Sequence, residues 1–182
     1  MHSGIRRWRM EDRYDLAALL NNPKILNNLR DGIPYPYTVR DAEEFISSML
    51  AADPTQTFPF AITAGDTVIG SIGVFRCGNI HSQAAEMGYY IGEPYWGQGF
   101  ATDAVRQVCR YIWENTDILR IFAEPFAYNQ ASCRVLEKAG FQLEGTMRSH
   151  AVKNGRVLDM KLYALVRAEH DIPHFPASKG GS

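Results

Sequence analysis

Tyr95-Trp96-Gly97-Gln98-Gly99-Phe100-Ala101-Thr102-Asp103-Ala104 is the stretch whose reading decides the fold. A strand-like run, Ala84 to Ile91, enters it through Gly92-Glu93-Pro94, where Pro94 denies further strand pairing. A helical pattern leaves it at once, because Ala101, Ala104, Val105, Val108 and Ile112 recur at helical spacing as one apolar stripe. The two glycines therefore stand where a strand turns into a helix, and several backbone N–H groups can point outward together. Such a nest at the positive end of a helix dipole takes an anion, and a pyrophosphate suits it. A lone Gly-x-Gly more often marks a tight turn with no ligand.

Working upstream, Thr67 to Phe75 and Phe58 to Thr63 are β-rich runs around the hairpin signal Ala64-Gly65-Asp66. With Ala84 to Ile91 they make an antiparallel meander, which differs from the repeated strand–helix units of a dinucleotide-binding fold. Before the meander, Ala42, Phe45, Ile46, Met49 and Leu50 form a helical stripe, started by the capping pair Thr38 and Asp41 and ended by Asp53-Pro54. Arg30-Asp31-Gly32-Ile33-Pro34-Tyr35-Pro36-Tyr37 is broken by two prolines and a glycine, so it is a loop. Its aromatic and apolar residues read either as the lining of a cavity or as a packed surface loop. Pro23 to Leu29 is a short helix, Glu11 to Leu20 a longer one, and Ile5 to Trp8 a first strand.

Downstream, Leu119 to Glu124 is a strand and Asn129 to Ala139 a helix closed by Gly140. Phe141 to Val152 and Val157 to Val166 flank Asn154-Gly155, a strong short hairpin signal. The fold class is α/β (α+β): a central, mostly antiparallel mixed sheet flanked by helices, in a single domain over residues 1–167. Residues 168–182, with their prolines and Lys-Gly-Gly-Ser end, read as a loosely held tail.

The 182 residues suffice for one domain with a substantial core. Lys+Arg 19 against Asp+Glu 20, a net charge of −1, supplies no electrostatic footprint for nucleic acid or an anionic membrane. Cys77, Cys109 and Cys133 are odd in number and lack metal-ligand spacing, and the five histidines form no cluster, so no metal site is expected. No apolar run is long enough to span a bilayer, and Met1 to Arg9 has no apolar signal core, so a cytoplasmic protein is expected.

The order helices, meander, strand–turn–helix, strand, helix, hairpin resembles the GNAT superfamily of acetyl-CoA-dependent N-acetyltransferases. Ala85-Glu86-Met87-Gly88-Tyr89-Tyr90-Ile91 with Pro94 to Thr102 is similar to that superfamily's phosphate-binding motif. Asn129-Gln130-Ala131-Ser132 with Glu137-Lys138-Ala139-Gly140-Phe141 is similar to its second motif helix. Arg30 to Tyr37, and Trp96 in place of the superfamily's more general Gln or Arg, resemble the branch that contains RimJ and RimL. One departure stands out. Many GNAT enzymes carry a tyrosine in the second motif helix that protonates the leaving thiolate, and the matching residue here is Leu136.

The resemblance implies acetyl-CoA as the acetyl donor. Its pyrophosphate would lie on Trp96, Gly97, Gln98, Gly99, Phe100, Ala101 and Thr102, and its pantetheine amides along Tyr89, Tyr90 and Ile91. Asn129 would hold the pantetheine or cap its helix. No lysine follows the glycines as in a P-loop, and Thr102 replaces the third glycine of a Rossmann fingerprint, so nucleoside triphosphate and NAD fit poorly. Acetylation needs an amine with a free lone pair. Glu86 is the candidate base, set by strand alternation on one face with Gly88 and Tyr90, with a plain surface glutamate as the alternative. Ser132 is the candidate donor to the departing thiolate, with ordinary helix packing as the alternative. Ile33, Tyr35 and Tyr37 are candidates for the acceptor side. The acceptor is a primary amine, either a protein N-terminal α-amine or a small molecule. A non-catalytic acyl-CoA-binding or sensing domain is the rival reading, supported by Leu136.

Overall fold

Asn154 and Gly155 both adopt positive φ, 50° and 72°, which is the two-residue turn whose twist matches antiparallel strands. They join β6 (Gln142–Lys153) to β7 (Arg156–Val166), the longest ladder of the sheet. The computed structural model describes residues 3–168, so all of the expected C-terminal tail except Ala168 lies outside the described residues. Preceding the hairpin, in chain order, are β1 (Gly4–Arg6), α1 (Arg13–Leu20), α2 (Pro23–Leu26), α3 (Val39–Ala51), β2 (Thr57–Ala64) and β3 (Thr67–Arg76). Then come β4 (Ala84–Ile91), α4 (Phe100–Asn115), β5 (Arg120–Ala123) and α5 (Gln130–Lys138).

The seven strands form one sheet in the order β1-β2-β3-β4-β5-β7-β6. Every neighbouring pair is antiparallel except β4 and β5, which run parallel because α4 carries the chain back across the sheet between them. The mixed, mostly antiparallel sheet matches the reading of the pattern. Its two faces carry separate cores. Phe100, Ala104, Val105, Val108, Cys109 and Ile112 of α4 pack with Met87, Ile91 and Ile121 on one face. Leu16, Ala17 and Leu20 of α1 pack with Ala42 and Ile46 of α3 on the other, joined by Trp8 and Tyr37.

Several boundaries differ from the sequence reading, each for a local reason. β1 ends at Arg6, and Trp8 leaves the sheet to meet Phe45 edge-on at a centroid distance of 5.6 Å. The first helix opens with a 3-10 turn, Met10–Asp12, because the Asp12 carboxylate turns back to accept from the Arg9 amide at 2.8 Å. α2 stops at Leu26, three residues early, where Asn27 and Asn28 turn the chain toward the loop. At α3 the capping box is present: Thr38 Oγ1 accepts from the Asp41 amide, and the Asp41 carboxylate from the Thr38 amide.

Candidate active site

β4 and β5 pair only from Ala84 to Glu86, opposite Arg120 to Phe122. β5 then ends at Ala123 while β4 runs on to Ile91, still paired to β3 on its other edge. From Met87 onward, therefore, β4 offers a strand edge with no ladder partner on the β5 side. The strands splay, and the wedge between them opens into a cleft of about 810 Å³. Tyr89, Tyr90 and Ile91 line it, as does Gly88, where an added Cβ would meet nothing within 4 Å. An edge of this kind can pair with the amides of an extended ligand, as an added strand does.

The nest closes one end of the cleft. Gly97 and Gly99 sit at φ 73° and 86°, a conformation that L side chains rarely adopt, and α4 starts at the next residue. No side chain caps α4. Among the described residues nothing accepts a hydrogen bond from the amides of Gly97 to Thr102. Six consecutive donors, without a side chain over the glycines, form a concavity whose chemistry suits an anion. The loop is held by its own side chains: Trp96 Nε1 donates to the Ile91 carbonyl at 2.7 Å, and Gln98 Nε2 to the Pro94 carbonyl at 2.9 Å. The Gln98 side chain thus turns away from the cleft, and Gln98 has only its amide to offer there. Trp96, Gly97, Gly99, Phe100, Ala101 and Thr102 all line the cleft.

α5 forms the opposite wall. Asn129 caps it by accepting from the Ser132 amide at 3.2 Å, and Asn129 also faces the cleft. Ser132 Oγ lies 2.8 Å from the Tyr89 hydroxyl, so β4 and α5 touch across the wedge through two hydroxyls. Burial pushes the Tyr89 phenol above its ordinary pKa, which keeps its proton in place. Leu136 is fully buried in the core, so this helix presents no phenol where the family tyrosine would stand.

At the far end of the wedge, Glu86 shares its face with Gly88 and forms an ion pair with Arg30 of the loop after α2. Arg30 was not a candidate in the sequence, since nothing there links it to a strand 56 residues later. Arg134 and Lys138 also line the cleft. Their signal was present, as Ala131, Arg134, Val135 and Lys138 follow helical spacing on one side of α5.

The loop candidates do not converge on this site. Ile33, Tyr35 and Tyr37 are absent from the cleft lining. Tyr37 is buried in the core with α1 and α3, pinned by its amide donating to Asn21 Oδ1 at 2.8 Å. Ile33 packs partly against that core, and Tyr35 is 62% exposed. The loop's contribution to the cleft comes earlier, from Asn28, Leu29 and Arg30. Among the described residues there is no group of histidine, cysteine and carboxylate side chains that could hold a metal, and no helix long and apolar enough to cross a membrane.

The acetyltransferase (GNAT) domain family matches residues 3–142. The chain belongs to the GNAT acetyltransferases. The N-acetyltransferase p20 of Bacillus licheniformis is 27% identical over 170 residues, covering 91% of this chain and 93% of that protein. The Escherichia coli alanine N-acetyltransferase of ribosomal protein uS5 is 32% identical over 97 residues, 52% of this chain and 50% of that one. Among solved structures, the ribosomal L7/L12 α-N-protein acetyltransferase RimL in complex with coenzyme A superposes with a TM-score of 0.81. That pair is 23% identical and covers 91% of this chain and 94% of the other.

In this GNAT acetyltransferase the cysteines offer no nucleophile to the cleft. Cys133 and Cys109 are buried, and burial pushes the Cys109 thiol up to about 12. Cys77 is only partly buried and does not line the cleft.

Proposed function

We propose that this acetyltransferase moves the acetyl group of acetyl-CoA directly onto the α-amine at a polypeptide N-terminus, within a ternary complex. The observation that carries the reading is the run of unpartnered amides from Gly97 to Thr102 at one end of a splayed wedge whose other end holds Glu86. The residues present fit coenzyme A. The nest suits its pyrophosphate, the free edge of Tyr89 to Ile91 its pantetheine amides, and the Arg134 and Lys138 cations its remaining phosphate charge. When bound, it supplies an acetyl thioester. Asn129 serves as helix cap through Oδ1, which leaves its Nδ2 as a donor for the pantetheine.

Glu86 takes the proton that the attacking amine must lose, once Arg30 has moved aside. Ser132 Oγ–H donates to the departing sulfur, and the Tyr89 hydroxyl donates in turn to Ser132 Oγ. The α-amine reading rests on chemistry and on kinship with proteins named for N-terminal alanine and L7/L12 α-N acetylation. An α-amine has a pKa near 8 and a lysine near 10.4, so at neutral pH roughly a tenth of the former is unprotonated against fewer than about one in a thousand of the latter.

The test is coenzyme A release from acetyl-CoA across a panel of short peptides with free N-termini, matched N-formyl peptides carrying lysine, and polyamines. Free N-terminal peptides should give the highest kcat/KM. Faster turnover of polyamines or lysine side chains overturns the α-amine assignment, and no thiol release with any amine overturns the transfer itself.

A further inference from the structure

A second cavity, about 340 Å³, lies between α2, the loop from β5 to α5 and the tip of the β6–β7 hairpin. It adjoins the acetyl-transfer cleft. Asn28 lines both spaces. Phe126, which lines the cleft, stacks at 5.6 Å on Tyr128, which lines the second cavity. Met160 and Leu158, two residues apart on β7, divide in the same way. The walls are tied together, since the Tyr128 hydroxyl donates to the Asn27 carbonyl at 2.9 Å and Asn154 Nδ2 to Asn27 Oδ1 at 3.3 Å.

Every charged residue lining this cavity is a cation: Lys24, Lys153 and Arg156. That is a local concentration in a chain whose net charge is −1. Lys24 pairs with Glu93, and Lys153 with Asp31 at 2.7 Å, while Arg156 has no ion pair among the described residues. Asp31 is 75% exposed while the Lys153 side chain is only 12% exposed, so the carboxylate is the partner that another carboxylate can replace. At the junction with the cleft, Asn28 Oδ1 is buried without a hydrogen-bond partner, although its Nδ2 donates to the Lys24 carbonyl at 3.1 Å. A buried carbonyl oxygen calls for an N–H donor.

We propose that this cavity is an acceptor subsite for acidic side chains that follow the acetylated residue. The natural acceptor is then a polypeptide with carboxylates within its first few positions. The carboxylates lie against Arg156, Lys153 and Lys24. A free phosphate or a phosphorylated small amine carries its charge at one point, whereas these cations come from α2 and from both strands of the hairpin, an arrangement that suits several carboxylates along one chain. The proposal rests on the α-amine reading and can be tested apart from it.

Two peptides with the same N-terminal residue, one with glutamates at positions 2 to 4 and one with glutamines, are compared in two ways. One is steady-state acetylation. The other is binding, by fluorescence anisotropy of C-terminally labelled peptides, to protein saturated with coenzyme A. The acidic peptide should show KM and Kd about tenfold lower, a margin that shrinks with added salt. Arg156→Glu should erase the margin while leaving kcat, the KM for acetyl-CoA and the KM of the glutamine peptide unchanged. Equal KM and Kd for the two peptides overturn the subsite, as does an Arg156→Glu effect equal on both. A phosphorylated small amine preferred over both peptides overturns it in favour of a phosphate site. If neither peptide is acetylated, the transfer reading fails, and tighter binding of the acidic peptide still supports the subsite.

Discussion

The hydroxyl of Tyr89 on β4 and Oγ of Ser132 on α5 lie 2.8 Å apart, bridging the two walls of the wedge. Tyr89 OH also lies 3.3 Å from the Ser132 carbonyl, so the phenol is held at the start of α5 by two oxygens. Because burial raises the phenol's pKa, Tyr89 keeps its proton at neutral pH, and either hydroxyl of the pair can donate to the other. Ser132→Ala should lower kcat by about 10²-fold with little change in KM for acetyl-CoA, as loss of a proton donor does. Tyr89→Phe should cost less, and the double variant should fall short of the product of the two, since the groups act as a unit. Single-turnover thiol release measures this, and an unchanged kcat for Ser132→Ala removes the donor role.

Glu86→Gln is expected to lower kcat/KM on an N-terminal peptide about tenfold at pH 7, and on a lysine-type amine far more. The deficit should narrow as pH rises through about 8, the α-amine's own pKa, because the acceptor then arrives unprotonated. A deficit that stays constant from pH 6 to 9 would mean that Glu86 positions the acceptor and does not take its proton.

Arg30 holds the Glu86 carboxylate from a side chain that is 71% exposed. A pair this exposed is worth at most about 1 kcal/mol, so an incoming ammonium can displace it. Arg30→Ala should lower the acceptor KM a few-fold and leave the KM for acetyl-CoA alone. An increase in acceptor KM would instead make Arg30 a binding residue.

Gly99→Ala probes the nest. A Cβ there would meet no atom within 4 Å, so the cost is conformational: about 1 kcal/mol for φ 86°, or roughly 2–4 °C in Tm. The larger effect should fall on ligand. Stabilisation of the protein by coenzyme A in a thermal-shift titration should drop clearly for Gly99→Ala, and full retention would place the pyrophosphate elsewhere.

Asp12 is buried and accepts from Arg6 Nη1 and Nη2 and from the Arg9 amide, each at 2.8 Å. Burial by itself raises its pKa, but the Arg6 guanidinium and the Arg9 amide outweigh burial and hold the carboxyl below its usual range. A lowered folded-state pKa stabilises the fold fully above the unfolded value of about 3.9, and that stability is lost as pH falls through the folded value. Asp12→Asn should therefore lose about 2 kcal/mol near neutral pH and progressively less below pH 4. Parallel thermal melts from pH 7 to 3 would show two curves converging, and a constant gap would deny the ionic contribution.

How much of this was legible in the chain depends on whether the signal was local. The wedge's two anchors were. Pro94, Gly97 and Gly99 with the stripe from Ala101 to Ile112 announce a strand–turn–helix, because proline, positive-φ glycine and helical spacing each act within a few residues. Asn154-Gly155 announced the last hairpin, and Thr38 with Asp41 the start of α3, for the same reason. Glu86 and Ser132 could be singled out from strand alternation and from likeness to known motifs.

What the sequence alone left open were encounters between residues far apart in the chain. The loss of pairing between β4 and β5 after Glu86 depends on where β5 stops, and β5 stops at Ala123 as the chain turns out toward α5. Tyr37 and Tyr35 are alike in sequence context, yet Tyr37 goes into the core because Asn21, sixteen residues earlier, holds its backbone. Arg30 meets Glu86 across 56 residues, and Tyr89 meets Ser132 across 43. Local backbone preference therefore determined the elements and the nest. Only the packing of α2 and α5 against a splayed sheet decided which side chains face one another across the cleft, because that packing depends on long-range burial and not on any short stretch of the chain.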